Sequence, residues 1–89
     1  MNKTMILGIM VYDRIKEAGN TQRVLSTHAP IISTRLGFHE LSTEVCSRTG
    51  FILLVLNGSP EQNKLLTDDL ALIRGIEVQI MQFQKGYST

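Results

Sequence analysis

Two short segments of this chain are apolar on both of their alternating faces. They are residues 5–12, MILGIMVY, and residues 51–57, FILLVLN. Successive side chains of a β-strand point to opposite faces of its sheet, so a strand that is apolar at every position is covered on both sides. Each segment therefore predicts a central strand, and this requirement limits the folds open to the chain more than any other feature.

Two further segments, residues 31–39 and residues 76–83, alternate between apolar and polar residues. This alternation is typical of strands with one exposed face. The mostly apolar positions are Ile32, Thr34, Leu36 and Phe38 in the first segment, and Ile76, Val78 and Ile80 in the second. We expect both segments to be edge strands.

Two helices are predicted between these strands. Asp13 is suited to cap a first helix over residues 14–28, although Gly19 in its middle leaves a broken helix as an alternative. Pro60 favours the first turn of a second helix, and Gly75 marks its end. The polar segment 40–48 is expected to be a long hairpin loop, with strands that extend partway into it as the alternative.

The resulting order, β-α-β-β-α-β, predicts a ferredoxin-like α+β fold with a four-stranded antiparallel sheet and two helices on one face. That fold has its first and third strands in the middle, in agreement with the polarity of the four segments. We expect residues 1–89 to form one domain with an ordered core over about residues 5–83.

The sheet face without helices would be apolar. This predicts a homo-oligomer, either a dimer or a tetramer, that forms through that face, through edge strand 31–39, or through both.

The charge balance limits the kinds of partner. Nine basic and eight acidic residues give a net charge of +1, without the basic excess that nucleic-acid binding requires. This argues against direct nucleic-acid binding by this chain alone.

No apolar run approaches the ~20 residues that span a bilayer. Asp13 interrupts the early apolar run, so a strand is favoured there over a signal peptide. The single cysteine, Cys46, fits a reducing cytoplasm.

Three residues could in principle bind a metal, namely His28, His39 and Cys46. His28 is predicted on a helix, far from the other two, and two ligands do not close a site unless a symmetry-related subunit supplies two more. Nucleophilic catalysis by Cys46 with His39 would require an orienting group and oxyanion donors that no pattern here supplies. The sequence therefore predicts no metal, no cofactor and no enzymatic activity.

Four stretches carry a resemblance to a known family: Val11-Tyr12-Asp13-Arg14, Arg35-Leu36-Gly37-Phe38, residues 51–58 and residues 72–78. Over residues 5–83 the chain resembles the small ACT-like regulators of the iron-only hydrogenase system, which are similar in fold to the C-terminal domain of the nickel-responsive repressor. The histidines of the repressor's nickel site have no counterpart in residues 51–57, so that site is not carried over.

The resemblance implies a homo-oligomeric transcriptional or metabolic regulator that senses a small ligand at a subunit interface. The ligand-binding residues it implicates are Asp13, Arg14, Arg35, Gly37 and His39. Arg35 is the most specific of these, because a guanidinium group can bind a carboxylate with two hydrogen bonds. An exposed edge-strand arginine or an ion pair between subunits remains an alternative for Arg35. For the whole chain, the alternative is a protein–protein interaction module with no ligand of its own.

Overall fold

The computed structural model describes the backbone of residues 4–41 and 46–83, and the side chains of residues 4–37 and 49–83. Four strands and two helices follow one another along the chain. They are β1 (Met5–Val11), α1 (Arg14–Thr27), β2 (Ile32–Leu41), β3 (Cys46–Leu56), α2 (Pro60–Ala71) and β4 (Ile76–Gln82), with a short 3₁₀ turn at Ala29–Ile31 between α1 and β2.

The strands form one antiparallel sheet in the order β2-β3-β1-β4. The two segments that are apolar on both faces thus become the central strands, and the two alternating segments become the edges. This confirms the predicted ferredoxin-like α+β fold. None of the helices in the described part of the chain is long and apolar enough to cross a membrane.

The hydrophobic core lies between the sheet and the two helices. Its buried members are Leu7, Ile9, Val11, Leu25, Ile31, Leu54, Leu56, Leu66 and Leu70. From the helices, α1 contributes Leu25 and α2 contributes Leu66 and Leu70, and alternate residues of β1 and β3 pack against them. Ile80 lies opposite the buried Leu7 on the helix side, as the alternation of β4 predicts, but it is exposed because β4 is an edge strand that the helices cover incompletely.

The helix ends follow from local side-chain chemistry. Asp13 caps α1 as predicted, and α1 continues through Gly19, so the broken-helix alternative is wrong. Ser59 caps α2, and its hydroxyl and the Gln62 side chain form a reciprocal capping box. Gly75, just before β4, has a φ of 81°, a conformation that glycine adopts without steric cost.

The predicted long loop at residues 40–48 is wrong, and the alternative of extended strands holds. β2 continues to Leu41 and β3 begins at Cys46, with the backbone of His39 opposite Gly50. Polar side chains are compatible with strand structure where a two-stranded ribbon extends past β1, so the polarity of this segment did not by itself indicate a loop. Residues 42–45 lie outside the described residues.

Candidate functional site

A cleft of about 210 Å³ opens on the helix side of the sheet, beside α1, β2 and β3. Arg14 lines it from the first turn of α1, and Arg35 lines it from β2. The other lining residues are Val11, Ala18, Thr21, Gln22, Gly37, Gly50, Phe51 and Ile52. None of these described lining residues is acidic, so both charged groups are guanidinium groups. We refer to this space as the basic cleft.

Arg14 reaches the basic cleft because Asp13 fixes the start of α1. The Asp13 carboxylate accepts hydrogen bonds from the backbone N–H groups of Ile15 and Lys16, each at 3.2 Å. These bonds satisfy two of the N–H groups that have no partner within a helix. Asp13 thus positions the arginine next to it and is not itself among the residues that line the cleft.

Arg35 reaches the same cleft because β2 contains an extra residue. Ile32 lies opposite Leu56, whereas Thr34 lies opposite Val55, so Ser33 is bulged out of the regular register. After the bulge, Arg35 lies opposite the fully buried Leu54 on the helix side of the sheet. The apolar face predicted for β2 is therefore split, since Ile32 packs on the core while Leu36 lies on the opposite face.

Thr21 is one of the residues that line the basic cleft. Its side chain is only 1% exposed, and its Oγ1 atom is buried without a hydrogen-bond partner among the described residues. Buried polar atoms in proteins nearly always have a partner, and one without a partner costs free energy. A rotation of the side chain that turns this hydroxyl toward the cleft would give it access to a partner there.

The structure brings three of the five predicted site residues together. Arg14, Arg35 and Gly37 line the basic cleft, Asp13 caps the helix beside it, and the His39 side chain lies outside the described residues. The cleft is formed within one chain, whereas the resemblance implied a subunit interface. Sequence reasoning missed Thr21, although a hydroxyl within the inward stripe of α1 was the signal that could have identified it.

The predicted metal-ligand candidates are not brought together by the described structure. His28 follows the last turn of α1, and its Nε2 atom lies 2.6 Å from an Asp69 carboxylate oxygen on α2. This contact joins α2 to the end of α1. No group of three potential metal ligands occurs among the residues that the structure describes. The side chains of His39 and Cys46 lie outside those residues.

The sheet face opposite the helices carries a broad apolar surface, which we call the open face. It is formed by Ile6, Gly8, Met10, Tyr12, Thr34, Leu36, Phe51, Leu53, Val55, Glu77, Gln79 and Met81. Leu36, Leu53 and Met81 are 56%, 41% and 58% exposed. Large apolar side chains grouped on one face typically mark an interaction surface. The predicted apolar face without helices is therefore present.

A polar group forms one border of the open face. The Tyr12 hydroxyl donates to a Glu77 carboxylate oxygen at 2.8 Å, and the Gln79 amide donates to the other oxygen at 2.8 Å. The hydrogen bonds from Gln79 and then Tyr12 lower the pKa of Glu77. The same bond, reinforced by the negative charge of Glu77, raises the pKa of Tyr12.

These pKa shifts predict how stability depends on pH. Because the pKa of Glu77 is lower in the folded state, its contribution is present above the unfolded carboxyl pKa of about 4.3 and is lost on acidification. Because the pKa of Tyr12 is raised, its contribution is present below about pH 10 and is lost as the phenol ionises. Urea denaturation across pH 3–7 should therefore show a shallower acid limb for Glu77→Gln than for the wild type. Tyr12→Phe, which keeps the carboxylate, should lie between them, and identical acid limbs for all three would contradict the assignment.

The sheet order and the helices on one face define a ferredoxin-like βαββαβ domain. Solved structures with this arrangement include the uncharacterized protein TM1266 from Thermotoga maritima, with a TM-score of 0.79 and 26% sequence identity over 92% of this chain and 98% of that one. No protein-family profile and no curated protein matches the sequence.

Two more distant structures show how widely the fold is used. A formyltetrahydrofolate deformylase from Pseudomonas putida KT2440 matches with a TM-score of 0.53 and 12% identity, over 88% of this chain but only 28% of the deformylase. SnoaB, a cofactor-independent oxygenase from Streptomyces nogalater, matches with a TM-score of 0.60 and 6% identity over the whole of both chains. At these identities the likeness concerns the fold alone.

Proposed function

We propose that the chain is a cytoplasmic, homo-oligomeric ACT-like regulatory domain that binds a small metabolite in the basic cleft and has no catalytic activity. Its resemblance to regulators of the iron-only hydrogenase system is consistent with such a role. The observation that supports this function best is the basic cleft itself, where two arginines and an unpartnered buried hydroxyl line one small space.

The lining of the basic cleft favours binding over catalysis. Proton transfer at neutral pH is usually carried out by histidine, carboxylate, lysine, tyrosine or cysteine side chains. None of these occurs among the described lining residues, whose charged groups are the guanidinium groups of Arg14 and Arg35. Such groups can hold and orient an anion but do not exchange protons with it.

Because of the position of the basic cleft, a bound ligand could affect how the subunits of an oligomer assemble. A ligand there would contact both α1 and β2, and β2 is the edge strand whose free side is open to pairing with another chain. A ligand can shift an equilibrium only by binding one state more tightly than the other. We propose that the ligand fixes α1 against β2 and thereby favours one arrangement of the oligomer.

Replacement of Arg35 by alanine should abolish ligand-induced stabilisation without unfolding the domain. The guanidinium group lies on an exposed edge strand, so its removal leaves no cavity in the core. The measurement is a thermal-shift screen of carboxylates, amino acids and metal ions on wild type and Arg35→Ala. A compound that raises the wild-type Tm should raise that of the variant much less.

The matched control is Arg74→Ala, which removes the same charge from the turn after α2, outside the basic cleft. It should respond to ligand like the wild type. An equal response by Arg35→Ala and the wild type would exclude Arg35 from the site.

The open face supports a second candidate function, a protein–protein interaction module with no ligand of its own. The exposed Leu36 and Leu53 lie opposite each other near its centre. Light scattering of wild type and Leu53→Lys would test this role, since a lysine at this position should dissociate an assembly that buries the face. A lysine variant with the same mass in solution as the wild type would contradict a role of the open face in self-association.

A further inference from the structure

We infer that the ligand of the basic cleft is a small carboxylate anion without an ammonium group, such as a short-chain 2-oxo acid, and not an α-amino acid. This inference rests on the proposed function, because it assumes that the cleft binds a metabolite. It adds the chemical class of that metabolite, which follows from the charge, the hydrogen-bonding groups and the size of the cleft.

The first argument is the sign of the charge. Arg35 has no ion-pair partner among the side chains that the structure describes, and the described lining of the cleft contains no carboxylate. Neither nearby acidic residue of the described part is among the lining residues, since Asp13 caps α1 and Glu17 lines a separate cleft beside the connection from α2 to β4. A carboxylate would gain charge-assisted hydrogen bonds here, whereas an ammonium group would be repelled.

The second argument is the hydroxyl of Thr21. A carboxylate or 2-oxo oxygen accepts a hydrogen bond, and a hydroxyl group can rotate to donate one. The Thr21 Oγ1 atom is buried and has no partner in the described structure. A rotation of the Thr21 side chain that turns Oγ1 toward the cleft would let it donate to a ligand oxygen while an arginine binds the carboxylate.

The third argument is size and apolar surface. A volume of about 210 Å³ corresponds to roughly seven water molecules at liquid density. It is below the range of about 300–1,000 Å³ that is common for drug-sized ligands, so the space matches a small metabolite. Val11 and Ile52 supply apolar lining, against which a short aliphatic chain would pack.

The experiment compares two compounds with the same carbon skeleton, 4-methyl-2-oxopentanoate and L-leucine, by isothermal titration calorimetry on the full chain. They differ only in an oxo group against an ammonium group at one carbon. The oxo acid should bind about tenfold or more tightly than leucine, a ratio that corresponds to about 1.4 kcal/mol. Inorganic phosphate is titrated in parallel as an anion without an apolar part.

Three variants place the oxo acid in the basic cleft. Arg35→Gln should weaken its binding at least about tenfold, and Thr21→Val, which has nearly the same shape but no hydroxyl, should weaken it about fivefold. Arg74→Gln removes a positive charge outside the cleft and should bind like the wild type. Equal affinities for all four proteins would place the ligand elsewhere and overturn the inference.

The binding results for the three compounds distinguish an error in this inference from an error in the proposed function. Leucine binding as tightly as the oxo acid, and weakened by Arg35→Gln, would overturn the inference but leave a ligand-binding cleft. Phosphate binding as tightly as the oxo acid would overturn the carboxylate assignment in the same way. Binding of none of the three compounds at millimolar concentration would overturn the inference, and the absence of any stabilising compound in the wider thermal-shift screen would overturn the proposed function as well.

Discussion

Replacing Leu54 with alanine should reduce the free energy of unfolding by about 3–4 kcal/mol, the largest effect we expect from a single substitution. Leu54 is fully buried in the centre of β3 and lies opposite Leu7, which is also fully buried. The truncation removes apolar contacts and leaves a cavity between the sheet and the helices. A domain of about this size has a stability of only a few kcal/mol in total, so urea denaturation should show a variant that is close to unfolded in water.

The neighbouring substitution Leu53→Ala is the matched control. It makes the same chemical change one residue away, on the open face, where Leu53 is partly exposed and lies opposite Gly8. Its cost should stay below about 1 kcal/mol for the isolated chain. If a second subunit covers the open face, this cost should rise with protein concentration. Equal losses for the two variants at low concentration would contradict the assignment of the two faces.

The second large effect is expected for Gly58→Ala, with a loss of about 2–3 kcal/mol. A Cβ atom at Gly58 would lie 2.8 Å from Ile31 Cγ2 and 2.9 Å from Asn63 Oδ1. Both neighbours are buried, and the adjacent Asn57 N–H donates to the Ile31 carbonyl oxygen at 2.9 Å. The contacts that surround Gly58 therefore join the start of β2 to the first turns of α2, and they leave little room for movement.

Gly19→Ala is the control for this prediction, because it makes the same change where space is free. No atom lies within 4 Å of a Cβ built at Gly19, which is exposed in the middle of α1. Alanine there should raise the free energy of unfolding by about 1 kcal/mol, since glycine is a poor helix former. Thermal denaturation of the two variants should move Tm in opposite directions. A neutral Gly58→Ala would show that the junction between β2 and α2 is looser than these distances indicate.

The fold could be predicted from the sequence because the polarity of the four strand segments and the strand order of a ferredoxin-like fold place the same two strands at the centre of the sheet. Residues 5–12 and 51–57 required cover on both sides, and this requirement placed them at the centre of the sheet. The capping residue Asp13 and the glycine before the last strand fixed element ends through local chemistry. The hairpin was less predictable, because a polar segment is equally compatible with a loop and with a solvated two-stranded ribbon.

The candidate site was only partly predictable. Arg14, Arg35 and Gly37 were selected through the resemblance, and the structure places all three along one cleft. The location of that cleft depends on the bulge at Ser33, which determines the face on which Arg35 lies, and strand periodicity carries no signal for a bulge. Thr21 carried only a weak signal, a hydroxyl on the inward side of α1, because its lack of a partner depends on three-dimensional packing. Ligand binding at these residues remains a prediction.

The bulge at Ser33 also bears on how such a site could arise during evolution. Thr34, Arg35 and Leu36 lie opposite Val55, Leu54 and Leu53, which is the register that a strand one residue shorter would also have after Ile32. The bulge therefore absorbs one residue while the side chains beyond it keep their faces. Deletion of Ser33 should leave Arg35 on the helix side and Leu36 on the open face. Relatives that lack a residue at this point can therefore keep both the basic cleft and the open face.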